Sequence, residues 1–249
     1  SNYYLPFAIA PNFLINNELY SIPMVIEESS VVAASSNAAK FWLDKGGFKA
    51  KVISTVKNGQ IHINFYGADS VIQKFFSENK LKLINCISEI EYSMKKRGGG
   101  LIDIELINST KSLDGYYQLH CTFETHDAMG ANFINTCLEE IAKTFENNAK
   151  KNSEFLSLNE YPEVVMSILS NYVPECIVRA EVQCPVSKMT TNGIDGTTFT
   201  TKFIRAVEIA KAETRRAVTH NKGIMNGIDA VILATGNDFR SVEAGIHAY

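Results

Sequence analysis

Residues 48–172 constrain the fold most tightly, because two periodicities alternate within them. Short β-rich runs bounded by turn residues twice give way to long helical segments. Residues 48–56 read as a strand, Asn58-Gly59 as a hairpin turn and residues 60–66 as the return strand. Residues 68–96 read as helical, with a break near Asn79, a basic end at Lys95-Lys96-Arg97 and a stop at Gly98-Gly99-Gly100. Residues 101–107 and 116–124 follow as strands on either side of an Asp114-Gly115 turn. Phe133, Ile134, Cys137, Leu138 and Ile141 recur at helical spacing and predict a helix over 129–148, and residues 164–169 form a last apolar segment. The order β-β-α-β-β-α-β predicts an α+β sandwich inserted into a flanking domain. The expected division is 1–47, 48–172 and 173–249.

The flanks are read differently. Residues 12–15 and 19–26 predict two strands about an Asn16-Asn17 turn, and the alanine-rich residues 31–40 a helix capped by Ser29 or Ser30. Strands resume over 176–184, a Thr/Gly-rich loop spans 190–198, and a long helix is expected over 200–218. In the stretch 219–249, Lys222-Gly223 and Asn226-Gly227 read as turns around an apolar, strand-like run, 228–234. A polar turn ending at Asp238 then opens a helix.

Charge bounds the partners. With 24 Lys and Arg against 27 Asp and Glu, the formal charge is −3, which gives no basic surplus to neutralise a nucleic-acid backbone. The five cysteines are odd in number and widely spaced, without a C-x-x-C pair, so reduced thiols in a cytoplasm are expected rather than a disulfide framework. No apolar run is long enough to span a bilayer. The five histidines show no metal-ligand spacing, and no metal site is expected.

Three constellations carry candidate chemistry, each with a plainer reading. Lys222 and Asp238 flank one rigid element, and a carboxylate beside the lysine would hold it protonated as an electrophile for a developing oxyanion; an isolated turn lysine is usually just solvated. Glu27-Glu28 follows an apolar strand, where burial would make one a proton donor; two carboxylates at a helix start are commonly dipole partners only. The small residues of Asp127-Ala128-Met129-Gly130-Ala131-Asn132 stand at a strand-to-helix junction, where a helix N-terminus meets a pyrophosphate or is simply capped. They do not form the G-x-G-x-x-G fingerprint.

Long strings then match one family in its own order: PMVIEESSVVAAS from Pro23, RGGG from Arg97, DAMGANFINT from Asp127, SILSN from Ser167 and THNKGIMNGIDAVILATGNDFRSVEAGIHAY from Thr219. With them the chain resembles the class II, bacterial-type 3-hydroxy-3-methylglutaryl-coenzyme A reductases. The resemblance implies a large domain for the coenzyme A substrate and a small inserted ferredoxin-like domain for the nicotinamide cofactor. It implies interconversion of hydroxymethylglutaryl-CoA with mevalonate plus CoA by two hydride transfers, at sites formed between the subunits of a homodimer. On this resemblance Glu28 is the catalytic acid, Lys222 the oxyanion stabiliser and Asp238 the group that tunes it. Ser30, Asn171, Arg216 and Asn226 match substrate-holding positions, and Asp127 to Asn132 match the cofactor-phosphate loop. Glu91 matches a position where an acid goes with NAD, although Lys95, Lys96 and Arg97 nearby would welcome the extra phosphate of NADP; otherwise Glu91 is one solvated helix charge beside Glu89. The family's N-terminal arm and its C-terminal segment with a catalytic histidine have no counterpart here, so an internal portion of a longer enzyme is expected. The alternative is a non-catalytic relative that binds CoA or dimerises.

Overall fold

The computed structural model describes residues 2–248, which divide into two compact units. One unit comprises Ser1–Val52 with Val178–Tyr249, and the other Ile53–Ile177. These boundaries, after Val52 and Ile177, fall inside strands, against expected divisions after 47 and 172.

The discontinuous unit begins with an antiparallel hairpin, β1 (Phe7–Ile15) and β2 (Glu18–Val25). Its turn is Asn16-Asn17, and both residues take positive φ, as asparagine tolerates. The Asn16 side chain donates to Ala50 O and accepts from Ala50 N, at 3.0 and 2.9 Å, so the turn also anchors the start of β3 (Lys49–Asn64). Helix α1 (Ser29–Leu43) starts two residues earlier than the alanine-rich run suggested. Its N-cap is Glu28 rather than a serine, and no side chain caps it.

After β7 (Cys176–Glu181) and a short 3-10 turn come α6 (Gly196–Ala212), α7 (Thr214–Ala234) and α8 (Phe239–His247). The single helix expected over 200–218 is therefore two. They part at Glu213, whose extended φ and ψ break the spiral and whose carboxylate caps α7 by accepting from Arg216 N at 2.7 Å. The expected turns at Lys222-Gly223 and Asn226-Gly227 and the strand over 228–234 are absent: all lie within α7. Met225 and Ala230 are its buried positions, and Ala230 joins Ala10 and Met24 in a small core lined by Phe13, Ile22, Ile26, Val31, Val32 and Val231. That tertiary packing offsets the cost of about 1 kcal/mol that each helical glycine carries relative to alanine.

The continuous unit contains most of β3, then α2 (Asp69–Asn85), the one-turn α3 (Tyr92–Lys95), β4 (Gly100–Asn108), β5 (Tyr116–Glu124), α4 (Ala131–Ala149), α5 (Ser153–Leu158) and β6 (Glu163–Leu169). Its strands run antiparallel in the spatial order β4-β5-β3-β6, and β7 also pairs with β3. Setting the short helices aside, the sequence order is β-α-β-β-α-β. The extra leading hairpin does not exist, because β3 runs straight through Asn58-Gly59. Gly59 pairs with Cys121 on one side and Leu169 on the other. A Cβ there would lie 2.6 Å from Leu138 Cδ1 and 3.2 Å from Ile134 Cγ2, both on α4. The glycine serves helix-on-sheet packing, not a turn. The helical break expected at Asn79 comes instead at Cys86; Asn79 stays in α2, buried, its Nδ2 donating to Phe75 O at 2.9 Å. One face of the sheet and the inner faces of α2 and α4 enclose the main core, including Ile61, Ile63, Phe75, Phe123, Ile141 and Phe145.

Candidate active site

The discontinuous unit brings Lys222 to Glu28. Packing of α7 on β2 and α1 sets the Lys222 Nζ 3.9 Å from Glu28 Oε2, at the start of α1. The other Glu28 oxygen, Oε1, accepts from Ser30 Oγ at 2.5 Å. A carboxylate that takes a short hydroxyl bond on one oxygen has its second oxygen fixed toward the ammonium. The gap of 3.9 Å is longer than a direct hydrogen bond, so one substrate oxygen would fit within reach of both groups. Both are accessible: the Lys222 side chain is 67% exposed and that of Glu28 50%. Asn226 stands one helical turn beyond Lys222 and is half-buried, and Arg216 is exposed in the first turn of α7.

Asp238 is used otherwise. Its carboxylate caps α8 by accepting from Ser241 N at 3.2 Å and lies 3.8 Å from Arg240 Nε. It makes no ion pair with Lys222 among the described residues. The partner of the lysine is therefore Glu28, from the other end of the chain. The signal for Glu28 was a carboxylate right after an apolar strand, where burial was expected; Glu27 and Glu28 are instead both exposed, and the lysine partner could not be read locally.

In the continuous unit, residues 125–130 form a tight loop into α4. Thr125 Oγ1 donates to Ala128 O at 2.7 Å, and His126 has φ of +50°. Gly130 is the N-cap in the left-handed region, φ +76°, where a Cβ would stand 2.7 Å from Thr125 Cγ2. No side chain caps α4, so its first amides keep their donors. Asp127, Ala128, Met129 and Asn132 are exposed around that end, and Ala131 is half-buried.

Neighbours missed by sequence reading complete this region. Glu124 Oε1 accepts from Thr55 Oγ1 at 2.6 Å and from His126 N at 2.7 Å. Burial alone would raise the Glu124 carboxyl, yet these bonds, with His126 and Lys57 nearby, hold it below its ordinary value. Lys57 Nζ donates to His126 O at 3.4 Å. The glycine triplet lies against the same loop: a Cβ on Gly98 would be 3.5 Å from His126 Nε2, and one on Gly99 would strike Glu124 O. Only the RGGG string hinted at this.

Glu91 differs from both of its sequence readings, which place it at a surface. Its side chain is 1% exposed. Oε2 accepts from Leu101 N at 3.1 Å, and Oε1 pairs with Lys95 Nζ one turn on. Asn171, in the same unit, is exposed just past β6. Among the described residues, no group of three or more His, Cys, Asp or Glu side chains is arranged to hold a metal, and no helix is long and apolar enough to cross a membrane.

These features define a two-unit α+β protein in which one unit interrupts the other, with an acid–lysine pair in the first and an uncapped helix N-terminus in the second. A class II 3-hydroxy-3-methylglutaryl-CoA reductase from Streptococcus pneumoniae, bound to NADPH in open conformations, matches with a TM-score of 0.85 at 34% identity. The match covers 98% of this chain and 63% of that one. The chain is 35% identical over 245 residues to the 3-hydroxy-3-methylglutaryl-coenzyme A reductase of Archaeoglobus fulgidus, covering 98% of this chain and 52% of the relative. It is 33% identical over 246 residues to the probable reductase of Borreliella burgdorferi, covering 98% and 53%. The family model for hydroxymethylglutaryl-coenzyme A reductase matches residues 1–249, and the chain belongs to that family. It spans about half the length of the curated relatives it matches.

Proposed function

We propose that this chain carries the reacting centre of a hydroxymethylglutaryl-CoA reductase, interconverting hydroxymethylglutaryl-CoA with mevalonate plus CoA. The Lys222–Glu28 pair supports the reading most directly. Reduction of a thioester to an alcohol places negative charge twice on the same oxygen, first on the hemithioacetal alkoxide, which expels the CoA thiolate to leave an aldehyde, and then on the alkoxide of the alcohol. Lys222 would stabilise that charge, and Glu28, oriented by Ser30, would deliver the proton. Arg216 and Asn226, on the same helix, and Asn171 would hold substrate. Asp238, held at the α8 cap, would act on Lys222 through the field rather than by contact.

The continuous unit, with the β-α-β-β-α-β order of ferredoxin-like folds, would hold a nicotinamide dinucleotide. The fit rests on the uncapped amides of α4: a 19-residue helix presents partial positive charge there, and the loop from Asp127 to Asn132 leaves that end open to a pyrophosphate. When bound, the cofactor supplies hydride. The Streptococcus pneumoniae structure is bound to NADPH, which together with Lys96 and Arg97 favours NADP beside NAD, Lys95 being held by Glu91. A homodimer with shared sites completes the proposal, in a reducing cytoplasm that suits the five free cysteines.

The test is Lys222→Ala, assayed for hydride transfer and for CoA-thioester binding in the full-length enzyme. Transfer should fall by at least about 100-fold, the scale for losing one oxyanion donor, while binding persists. Near-normal transfer would remove Lys222 from the chemistry and leave a CoA-binding relative.

A further inference from the structure

The glycine triplet at 98–100 abuts the loop proposed for the cofactor, so what fixes the triplet affects that loop. The local backbone is stitched at several points. Gly98 N donates to Lys95 O at 2.9 Å and Gly99 N to Met94 O at 3.0 Å. Side-chain support comes from Glu91, whose carboxylate receives Leu101 N from beyond the triplet and Lys95 Nζ from α3. Gly100 has φ of +118°, and a Cβ on it would lie 2.9 Å from Glu91 Oε2, so the carboxylate fills the space under the glycine. Met94, 4% exposed, lies against Gly99, where a Cβ would come 3.1 Å from its Cγ.

A carboxylate this deep, with Oε2 bonded to Leu101 N and Oε1 buried in ion-pair contact with Lys95 but without a hydrogen bond among the described residues, presents no accessible acceptor to a ribose outside. Burying it without those two partners would be costly, which explains why both are present. Its influence passes through the backbone: from Leu101 N to the triplet, and from Gly98 and Gly99 to His126 and Glu124.

We infer that Glu91 is a positioning residue for nicotinamide-dinucleotide binding, pinning residues 98–101 against the loop 124–130 without touching the cofactor. The inference rests on the cofactor reading above. It separates two outcomes that the identity of the residue alone leaves joined. An acid that reads the ribose discriminates between NADH and NADPH. An acid that positions the loop affects both alike.

The experiment is a titration of the full-length protein with NADH and with NADPH, read by nicotinamide fluorescence, for wild type, Glu91→Gln and Glu91→Ala. Glutamine keeps an acceptor for Leu101 N but loses the ion pair with Lys95, so both Kd values should rise by the same small factor. Alanine loses both, and both Kd values should rise together by about tenfold or more, the scale on which loss of positioning acts. Amide exchange at residues 98–101 should quicken in step with Kd across the variants. A changed ratio of NADH to NADPH affinity in either variant would overturn the inference and return Glu91 to direct ribose recognition. Unchanged affinities for both cofactors in the glutamine variant, and in alanine if it folds, would also overturn it. A wild type that binds neither nucleotide would sink the cofactor reading itself, and this inference with it.

Discussion

Replacing Gly59 with alanine should destabilise the continuous unit, and the structure sets the amount. Gly59 lies mid-strand in β3, paired on both sides, with no positive φ for a side chain to strain. The cost is steric. The added methyl would meet Leu138 Cδ1 at 2.6 Å, Leu169 Cα at 3.1 Å and Ile134 Cγ2 at 3.2 Å. The leucine tip can swing aside, but the Leu169 backbone cannot. Overpacking of this kind costs about 1–3 kcal/mol. The smaller unfolded-state entropy of alanine returns about 0.4–1 kcal/mol. A net loss of about 1–2 kcal/mol is expected, read as a lower urea midpoint at unchanged m-value, by far-UV circular dichroism. The decisive comparison repeats Gly59→Ala in a Leu138→Ala background. There the penalty should shrink by more than about 0.5 kcal/mol, because the two sites share one space. Equal penalties in both backgrounds would refute the part assigned to Leu138 and leave the cost on the Leu169 backbone alone, whereas a neutral Gly59→Ala would refute the packing argument and revive a turn or backbone role for the glycine.

Two further outcomes are expected. Burial, and then the Glu243 carboxyl beside it, push the Asp229 carboxyl up from 3.8 to about 6, while His247 pulls it down. The folded state therefore holds that proton more tightly than the unfolded chain, so the stability it lends is fully present below about pH 4 and is lost as pH rises through about 6. Melting temperatures from pH 4 to 7.5 should show that decline, and Asp229→Asn should flatten it; equal slopes in both proteins would contradict the assignment. Glu213→Ala removes the cap of α7 and should cost about 1 kcal/mol in chemical denaturation, whereas an unchanged midpoint would mean that the Arg216 amide finds another acceptor.

Local signals were enough where the chain pairs with its near neighbours. Asn16-Asn17 and Asp114-Gly115 read as turns and are turns, with Gly115 at φ +67°. The apolar spacing from Phe133 to Ile141 read as a helix and is one. Asn58-Gly59 has the same local chemistry as a turn, yet α4, more than seventy residues later, decides its conformation. Gly223 and Gly227 misled in the same way: both have open space about them, and the buried Met225 and Ala230 of α7 hold the helix through. In the candidate site, residue types pointed to Glu28 and Lys222, but not to their mutual contact or to Asp238 facing Arg240. The burial of Glu91 was illegible because its key donor, Leu101 N, lies past a glycine loop whose path no periodicity records.

The division of the first unit between two distant segments has a consequence for synthesis. The hairpin β1–β2 and helix α1 emerge from a ribosome with only Ala10 and Met24 ready for their small core, and the third buried member, Ala230, is made after the whole continuous unit. Until α7 arrives, the small core of Ala10 and Met24, with Phe13, Ile22 and Val31 around it, lacks the late-made Ala230 and Val231, while residues 53–177 already contain every side chain of their own larger core. Folding of such a chain proceeds from the middle outward, and its early segment is the stretch that a nascent-chain chaperone has most reason to hold.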